Sequence, residues 1–228
     1  MPKNPPIDTE TLATRGFAVV PGLIDPEQCR TLAAFWPEET NFRSRVVMQR
    51  HGYGRGEYQY FRYPLPDPVE QLRQALYPSL AEIANRWNGQ LGREERFPPT
   101  LKGWLDECHA GGQKRPTPLL LRYGPGDYNC LHRDLYGDLV FPLQATVLLS
   151  DPARDFSGGE FMLVEQRPRM QSRGEVVPLR QGDAVIFATN ERPVQGTRGF
   201  HRTAMRHGVS SLREGERFTL GIIFHDAA

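Results

Sequence analysis

The stretch RHGVSSLREGERFTLGIIFHD, Arg206 to Asp226, carries a parity that can be read residue by residue. From Arg217 onward, Phe218, Leu220, Ile222 and Phe224 alternate with Arg217, Thr219, Gly221, Ile223 and His225. Successive side chains of a strand point to opposite faces. The first set therefore predicts a hydrophobic face turned to a core, and the second a face turned into the interior of a barrel. An arginine directed into such an interior requires an anion. His207 stands at the start of another candidate strand in the same stretch.

Working outward, YGPGDYNCLHRDLYGD (Tyr123 to Asp138) supplies a second set of chemistry-bearing residues. If the segment around His132 is a strand, His132 and Asp134 share one face and can converge on an ion while Arg133 points away. Taken alone the pair is weak, because a chain of this composition yields a His-x-Asp/Glu by chance about 0.7 times. Two histidines and one carboxylate, with the second histidine from a distant strand, would form a facial set for Fe(II), and His207 can supply it.

From Thr117 onward, short candidate strands recur: PLLLRYG, FPLQATVLLS, GEFMLVE, EVVPLR, DAVIFATN, RHGVSSL and ERFTLGIIFHD, separated by Gly, Pro and Asp turns. This texture predicts a sandwich or jelly roll. Upstream the chain is mixed. Residues 1–10 read as a polar tail, and Gly16 to Leu23 as a short strand. Asp25-Pro26-Glu27-Gln28 reads as a capped helix start, with Cys29 and Leu32 facing inward and a stop near Pro37. Helical spacing of Leu72, Leu76, Leu80 and Ile83 predicts a helix from Val69 to about Trp87. Leu91 to Pro116 gives no assignment. Residues 41–64, rich in Arg, Gly and Tyr, read as a hairpin or lid.

Composition narrows the class. The chain has 228 residues, 39% hydrophobic and 10% aromatic, which suits one well-cored domain with embellishments. No apolar run approaches the roughly 20 residues of a membrane span, and MPKNPPIDTE does not read as a signal peptide, so a cytoplasmic location is expected. Cys29, Cys108 and Cys130 form no CxxC pair and suggest neither a disulfide framework nor a thiolate zinc site. A net charge of +1 exerts no global pull on nucleic acid or membrane. Positive charge is mostly arginine, 25 against three lysines, a fork suited to carboxylates and phosphates or simply a compositional bias.

Three pieces, in order, resemble the Fe(II)/2-oxoglutarate-dependent dioxygenases over most of residues 118–226. YGPGDYNCLHRD is similar to the Tyr-x-Pro-Gly…Leu-His-x-Asp segment of the AlkB-type nucleic-acid repair enzymes. LLSDPARDFSGGEFMLVE with VVPLRQGDAVIF looks like the Gly-Gly-Glu and Pro-x-x-Gly-x-x-x-x-Phe strands of prolyl-hydroxylase-like members. HGVSSLREGERFTL matches their His-x-Val…Gly-x-Arg ending. The resemblance implies a mainly β fold with flanking helices: a double-stranded β-helix (jelly-roll, cupin-like) core over 117–228, supported by a mixed region 1–116 with a candidate lid at 41–64, as one compact unit. It makes His132, Asp134 and His207 the iron ligands, and Arg217, Tyr123 and Thr219 the 2-oxoglutarate contacts. Arg133, Tyr136 and Tyr58 become candidates to meet the substrate. The cofactors implied are Fe(II), 2-oxoglutarate and O2, with succinate and CO2 released as a C–H bond is hydroxylated.

His201 competes for the third ligand position, but only His207 begins the His-x-Val…Gly-x-Arg pattern. AlkB-type enzymes carry a second arginine six residues after the first. Here that position is Ile223, which leaves the proximal carboxylate without an assigned contact. His225 shares the face of Arg217 and reads as a satisfied interior histidine, while His51 and His109 read as ordinary surface or loop residues.

The substrate is not set by the triad. Arg43, Arg45, Arg50 and Arg55 among Tyr53, Tyr58, Tyr60 and Phe61 could pair phosphates and stack unpaired bases, or form an ordinary arginine-rich hairpin. The whole-chain pattern resembles a bacterial family with ascribed oxidative demethylation of alkylated DNA, making alkylated nucleic acid a possible partner, with no membrane or obligate protein partner evident. Hydroxylation of a protein side chain or a small molecule is the alternative. A cupin-like barrel that binds metal without oxygen chemistry is another, although it has no need of an interior cation such as Arg217.

Overall fold

The computed structural model describes residues 5–167 and 169–228. In chain order the helices are α1 (Thr9–Arg15), α2 (Pro26–Ala34), α3 (Asp67–Gln90) and α4 (Leu101–Ala110). The strands are β1 (Phe17–Val20), β2 (Phe42–Val47), β3 (Gly54–Arg55), β4 (Glu57–Phe61), β5 (Leu119–Tyr123), β6 (Tyr128–His132), β7 (Leu143–Leu148) and β8 (Phe156–Gly158). They continue as β9 (Phe161–Gln166), β10 (Arg173–Val177), β11 (Ala184–Ala188), β12 (Glu191–Gly196), β13 (Gly199–Val209), β14 (Leu212–Gly215) and β15 (Arg217–Ile223).

The strands form a major antiparallel sheet, β1-β11-β7-β15-β5-β4-β2, and a minor one, β10-β9-β13-β6-β3. β12 hairpins onto β13, and β14 pairs with β8. This is the mainly β jelly roll expected, but its major sheet draws β1, β2 and β4 from before residue 117. The 41–64 segment is a hairpin whose β4 pairs with β5, so it widens the sheet and ends beside the cavity.

The parity of β15 explains why the sheet has two dissimilar faces. Leu220, Ile222 and Phe224 are fully buried with Leu120, Val147 and the apolar stripe of α3: Leu72, Leu76, Leu80 and Ile83. Each such side chain contributes about 1.5–3 kcal/mol on burial. Pro78 sits inside α3 without ending it because it lies on the exposed face, where the carbonyl left without a donor can take water. The capping box of α2 forms as its sequence predicts: the Asp25 side chain accepts from Gln28 N, and the Gln28 side chain accepts from Asp25 N.

Four local expectations need correction. α1 begins at Thr9, capped by Asp8, inside the stretch read as a tail, of which residues 1–4 lie outside the described residues. α4 occupies the stretch that gave no assignment; Thr100 caps it, with Leu101, Trp104 and Cys108 buried. His207 lies near the end of the long strand β13 and not at a strand start. His109 is not an ordinary surface residue, because it leaves α4 to reach a buried carboxylate.

That carboxylate is Asp226. It accepts from Arg73 Nη2 at 2.8 Å and from the Tyr63 hydroxyl at 2.8 Å, and lies 2.8 Å from His109 Nε2. Arg73 also donates to the carbonyl of Ile223 at 3.0 Å, so the group ties α3 and α4 to the end of β15. Both partners of the ion pair are fully buried. Burial alone would raise the Asp226 carboxyl, but Arg73 and the hydrogen bonds from His109 and Tyr63 outweigh it and hold it below its ordinary value. Asp226→Ala is expected to lower stability at neutral pH by about 3–5 kcal/mol, since it strands a buried guanidinium. A carboxylate with a depressed folded value stabilises above its unfolded value and loses that contribution as pH falls through the folded one. The deficit, measured by urea denaturation, should therefore be full above about pH 5 and shrink below about pH 4.

Candidate active site

Inward-facing residues of the major sheet tile one wall of a cavity of about 550 Å³. Successive rows follow the strand register. Arg217 lies beside Tyr123, then Thr219 beside Leu121 and Tyr58, then Gly221 between Thr146 and Leu119, and last Ile223 beside Gln144. The minor sheet supplies the facing wall, where His207 of β13 is paired directly with His132 of β6.

His132, Asp134 and His207 offer ligand atoms that all lie within 4.8 Å of one another, and among the described residues they are the one such group of three or more. β6 ends at His132, so Asp134 reaches the cluster from the chain leaving the strand and not from the strand itself. Tyr136 fixes it there, its hydroxyl donating to Asp134 Oδ1 at 2.7 Å. His132 Nδ1 lies 2.8 Å from the carbonyl of Cys130, which assigns the proton to Nδ1 and leaves Nε2 free as a lone-pair donor. His207 is buried and clamped by Phe187 and Phe161, with ring centroids 4.7 and 6.0 Å away.

The electrostatics suit a cation. Burial would raise the Asp134 carboxyl, but the adjoining His132 and His207 rings prevail and keep it well below the carboxylate range, while Asp134 in turn outweighs burial and raises His132. Burial, reinforced by the neighbouring His132, lowers His207 and favours the neutral ring that binds metal. Two nitrogens and one carboxylate, with open positions, are a donor set that fits Fe(II).

Across the cavity, Arg217 is 1% exposed, and its Nε and Nη1 have no hydrogen-bond partner among the described residues. Burial lowers the guanidinium to about 10, so it remains charged at neutral pH. Gly159, at φ +62°, makes room for it: a Cβ there would stand 3.0 Å from Arg217 Cδ. A charged fork kept dry and unpaired, facing the same cavity as the donor cluster, fits the carboxylate of 2-oxoglutarate. Tyr123 is buried beside it, its hydroxyl pushed up to about 12 by burial and accepting from Asn129 at 3.5 Å. Thr219 is buried in the next row.

The remaining sequence candidates separate. Tyr58 and Tyr136 line the cavity, whereas Arg133, exposed at its mouth, donates to Asn190 at 2.8 Å. His201 is exposed on the β12–β13 ribbon and outside the cluster. His225 is interior as expected but only half satisfied: its Nδ1 accepts from Phe141 N at 3.2 Å, while its Nε2 has no partner among the described residues. His51 is exposed and stacks on Tyr53. Sequence reasoning missed Gln144 and the clamp formed by Phe161 and Phe187. The alternation of Gln144 and Thr146 with Ala145 and Val147 carried the signal for Gln144.

A family model described as "Oxygenase, catalysing oxidative methylation of damaged DNA" matches residues 56–227. The chain belongs to this oxygenase family. Two uncharacterized proteins of Mycobacterium tuberculosis, from strains CDC 1551 / Oshkosh and H37Rv, are each 55% identical over 168 residues, 74% of this chain and 72% of theirs. The fold is shared with a Pseudomonas putida prolyl-4-hydroxylase: TM-score 0.56, 16% identity, covering 96% of this chain and 97% of that one. It is also shared with a 2OG-Fe(II) oxygenase family oxidoreductase of Burkholderia pseudomallei: TM-score 0.53, 16% identity, covering 96% and 91%. Membership of an oxygenase family calls for O2, and the His–Asp–His donor set fits Fe(II). Among the described residues, no helix is long and apolar enough to cross a membrane.

Because a buried unpaired charge is costly, Arg217→Met should raise the stability of the ligand-free protein by about 1–3 kcal/mol. Equilibrium denaturation would check this, and a loss of stability would mean that the guanidinium has a partner within the fold.

Proposed function

We propose that this oxygenase oxidises the N-methyl carbon of alkylated nucleobases, with His132, Asp134 and His207 holding Fe(II), and Arg217, Thr219 and Tyr123 seating the distal carboxylate of 2-oxoglutarate. One observation carries the cosubstrate half of the reading: the unpaired, buried guanidinium of Arg217 faces the His–Asp–His cluster across one cavity. The non-oxygenase barrel has no use for that charge.

Iron held by His132, Asp134 and His207, with 2-oxoglutarate on Arg217, would supply the oxidising chemistry, one oxygen atom of O2 going to succinate and one to the substrate hydroxyl with loss of CO2. The chain's own work is placement. Tyr136 keeps Asp134 oriented, the Cys130 carbonyl sets the His132 tautomer, and Phe161 and Phe187 fix the His207 ring. A hydroxylated N-methyl group is a hemiaminal and loses formaldehyde, so oxidation at this carbon removes the methyl group.

The family description supports nucleic acid as substrate, as do the aromatic surfaces of the cavity. Tyr58 and Tyr60 meet edge to face at 5.3 Å, and Tyr60 meets Tyr136 at 6.1 Å. Tyr53, Leu131 and Leu135 stand exposed at the mouth, where an extruded base can stack. Of the hairpin arginines, Arg43 lies over Tyr60 and donates to Pro116 O, and Arg45 pairs with Glu57. Arg50 and Arg55 are exposed without an ion pair among the described residues, and so are free for phosphates. With a net charge of +1, recognition rests on the base pocket more than on backbone charge.

Anaerobic Fe(II) titration should show binding lost in Asp134→Ala and His207→Ala but retained in His201→Ala. With oxygen and 2-oxoglutarate, N-methylated single-stranded oligonucleotides should release formaldehyde and succinate in equal amounts. A +16 Da product on peptides, with no formaldehyde from oligonucleotides, would replace the nucleobase reading with protein hydroxylation.

A further inference from the structure

The cavity holds a second uncommitted donor besides Arg217. Gln144, on β7, is 2% exposed, and its Nε2 has no hydrogen-bond partner among the described residues. Burying an amide N–H without an acceptor is costly, and nothing in the core requires an amide at this site. The residue opposite it on β15 is the apolar Ile223, and opposite it on β11 is Phe187. The amide therefore lines a cavity whose occupant must supply the missing acceptor.

Its place narrows what that occupant is. Phe187 packs against the His207 ring, and Ile223 belongs to the apolar cluster on which Tyr136 packs, the residue whose hydroxyl holds Asp134. Gln144 thus lies between Phe187, which touches the His207 ring, and Ile223, in the cluster that carries Tyr136. It is also deep. The mouth is marked by the exposed Tyr53, Leu131 and Leu135, whereas β7 lies within the major sheet, flanked by β11 and β15. A primary substrate entering through the mouth meets the rim first. What lies between the deep wall and the cluster is the end of the oxo acid that faces the metal. Arg217, three inward rows away along β15, cannot serve both ends of one small diacid if it grips the distal carboxylate.

Resting on the iron and 2-oxoglutarate reading above, we infer that Gln144 is a positioning residue for the cosubstrate, its side-chain amide donating to the metal-proximal carboxylate of the 2-oxo acid. No cation stands at Ile223 to neutralise that carboxylate, so its charge is met by the metal and its outer oxygen by a neutral donor. Gln144 then contributes orientation more than charge, and holds the acid in one rotation about the axis toward Arg217.

The experiment compares two oxo acids that differ only at the end Gln144 does not touch. 2-Oxoglutarate and 2-oxobutyrate, which lacks the distal carboxylate, are titrated anaerobically into Mn(II)-loaded wild type, Gln144→Met and Arg217→Met, with calorimetric readout. Gln144→Met should weaken both acids by a similar factor, on the order of tenfold. Arg217→Met should weaken 2-oxoglutarate alone. The melting temperature of metal-free Gln144→Met should stay level or rise, because the substitution removes an unsatisfied buried amide at similar length. Unchanged affinity of Gln144→Met for both acids would overturn the assignment while leaving the iron and oxo-acid reading intact. So would a lowered melting temperature with unchanged affinity, which would mark a purely structural role. Failure of both acids to bind metal-loaded wild type would overturn that reading and this inference with it. Should Gln144→Met not fold, Gln144→Glu answers the same question: a carboxylate facing a carboxylate should weaken both acids further, and unchanged or tighter binding would overturn the assignment.

Discussion

A guanidinium shut away from water with two of its nitrogens unanswered is the constraint around which this molecule is arranged. Such a charge is tolerated only where the fold is stable enough to carry it and a ligand later answers it. The stability comes from the reverse side of the same strand, where Leu220, Ile222 and Phe224 pack against the helices. One strand and the residue that follows it therefore hold both the apolar seal of the core and one wall of the cavity. Period-two geometry keeps those two surfaces apart.

The donor cluster is built by a different economy. No single element presents it: His207 comes from β13, His132 from the end of β6, and Asp134 from the chain beyond. What brings them together is an antiparallel pairing that sets the two histidines side by side. Around them, contacts fix direction rather than add affinity: a phenol on the carboxylate, a carbonyl on one imidazole, two aromatic rings about the other.

Much of this was legible before any coordinates because it follows from local rules. The parity of β15, the capping box at Asp25 and the helical spacing of α3 each require only near neighbours in sequence. The jelly-roll class followed from strand texture and motif order. What escaped did so for physical reasons. β12 and the first half of β13 form a ribbon with exposed positions on both strands, so no hydrophobic alternation betrays it. β6 is half exposed and faces the cavity with polar residues, which hides its period. α4 is different: Thr100 as cap and Leu101, Trp104, Leu105 and Cys108 at helical spacing carried a signal, obscured by the proline-rich approach to it. Gln144 was visible as a polar residue inside an apolar strand, but its lack of a partner is a three-dimensional fact that no spacing encodes.

The strand order has a consequence for how the chain acquires this form. β15 follows the other strands in sequence yet inserts between β7 and β5, in the interior of the major sheet. Until it arrives, both neighbours present open backbone edges beside apolar faces, and its own pairings reach back from Leu220 to Val147 on one side and to Leu120 on the other. Assembly of this topology is slow for reasons of loop closure, and its incomplete forms expose surfaces prone to self-association. The strand that completes the cavity wall is also the one that closes the window for misassembly.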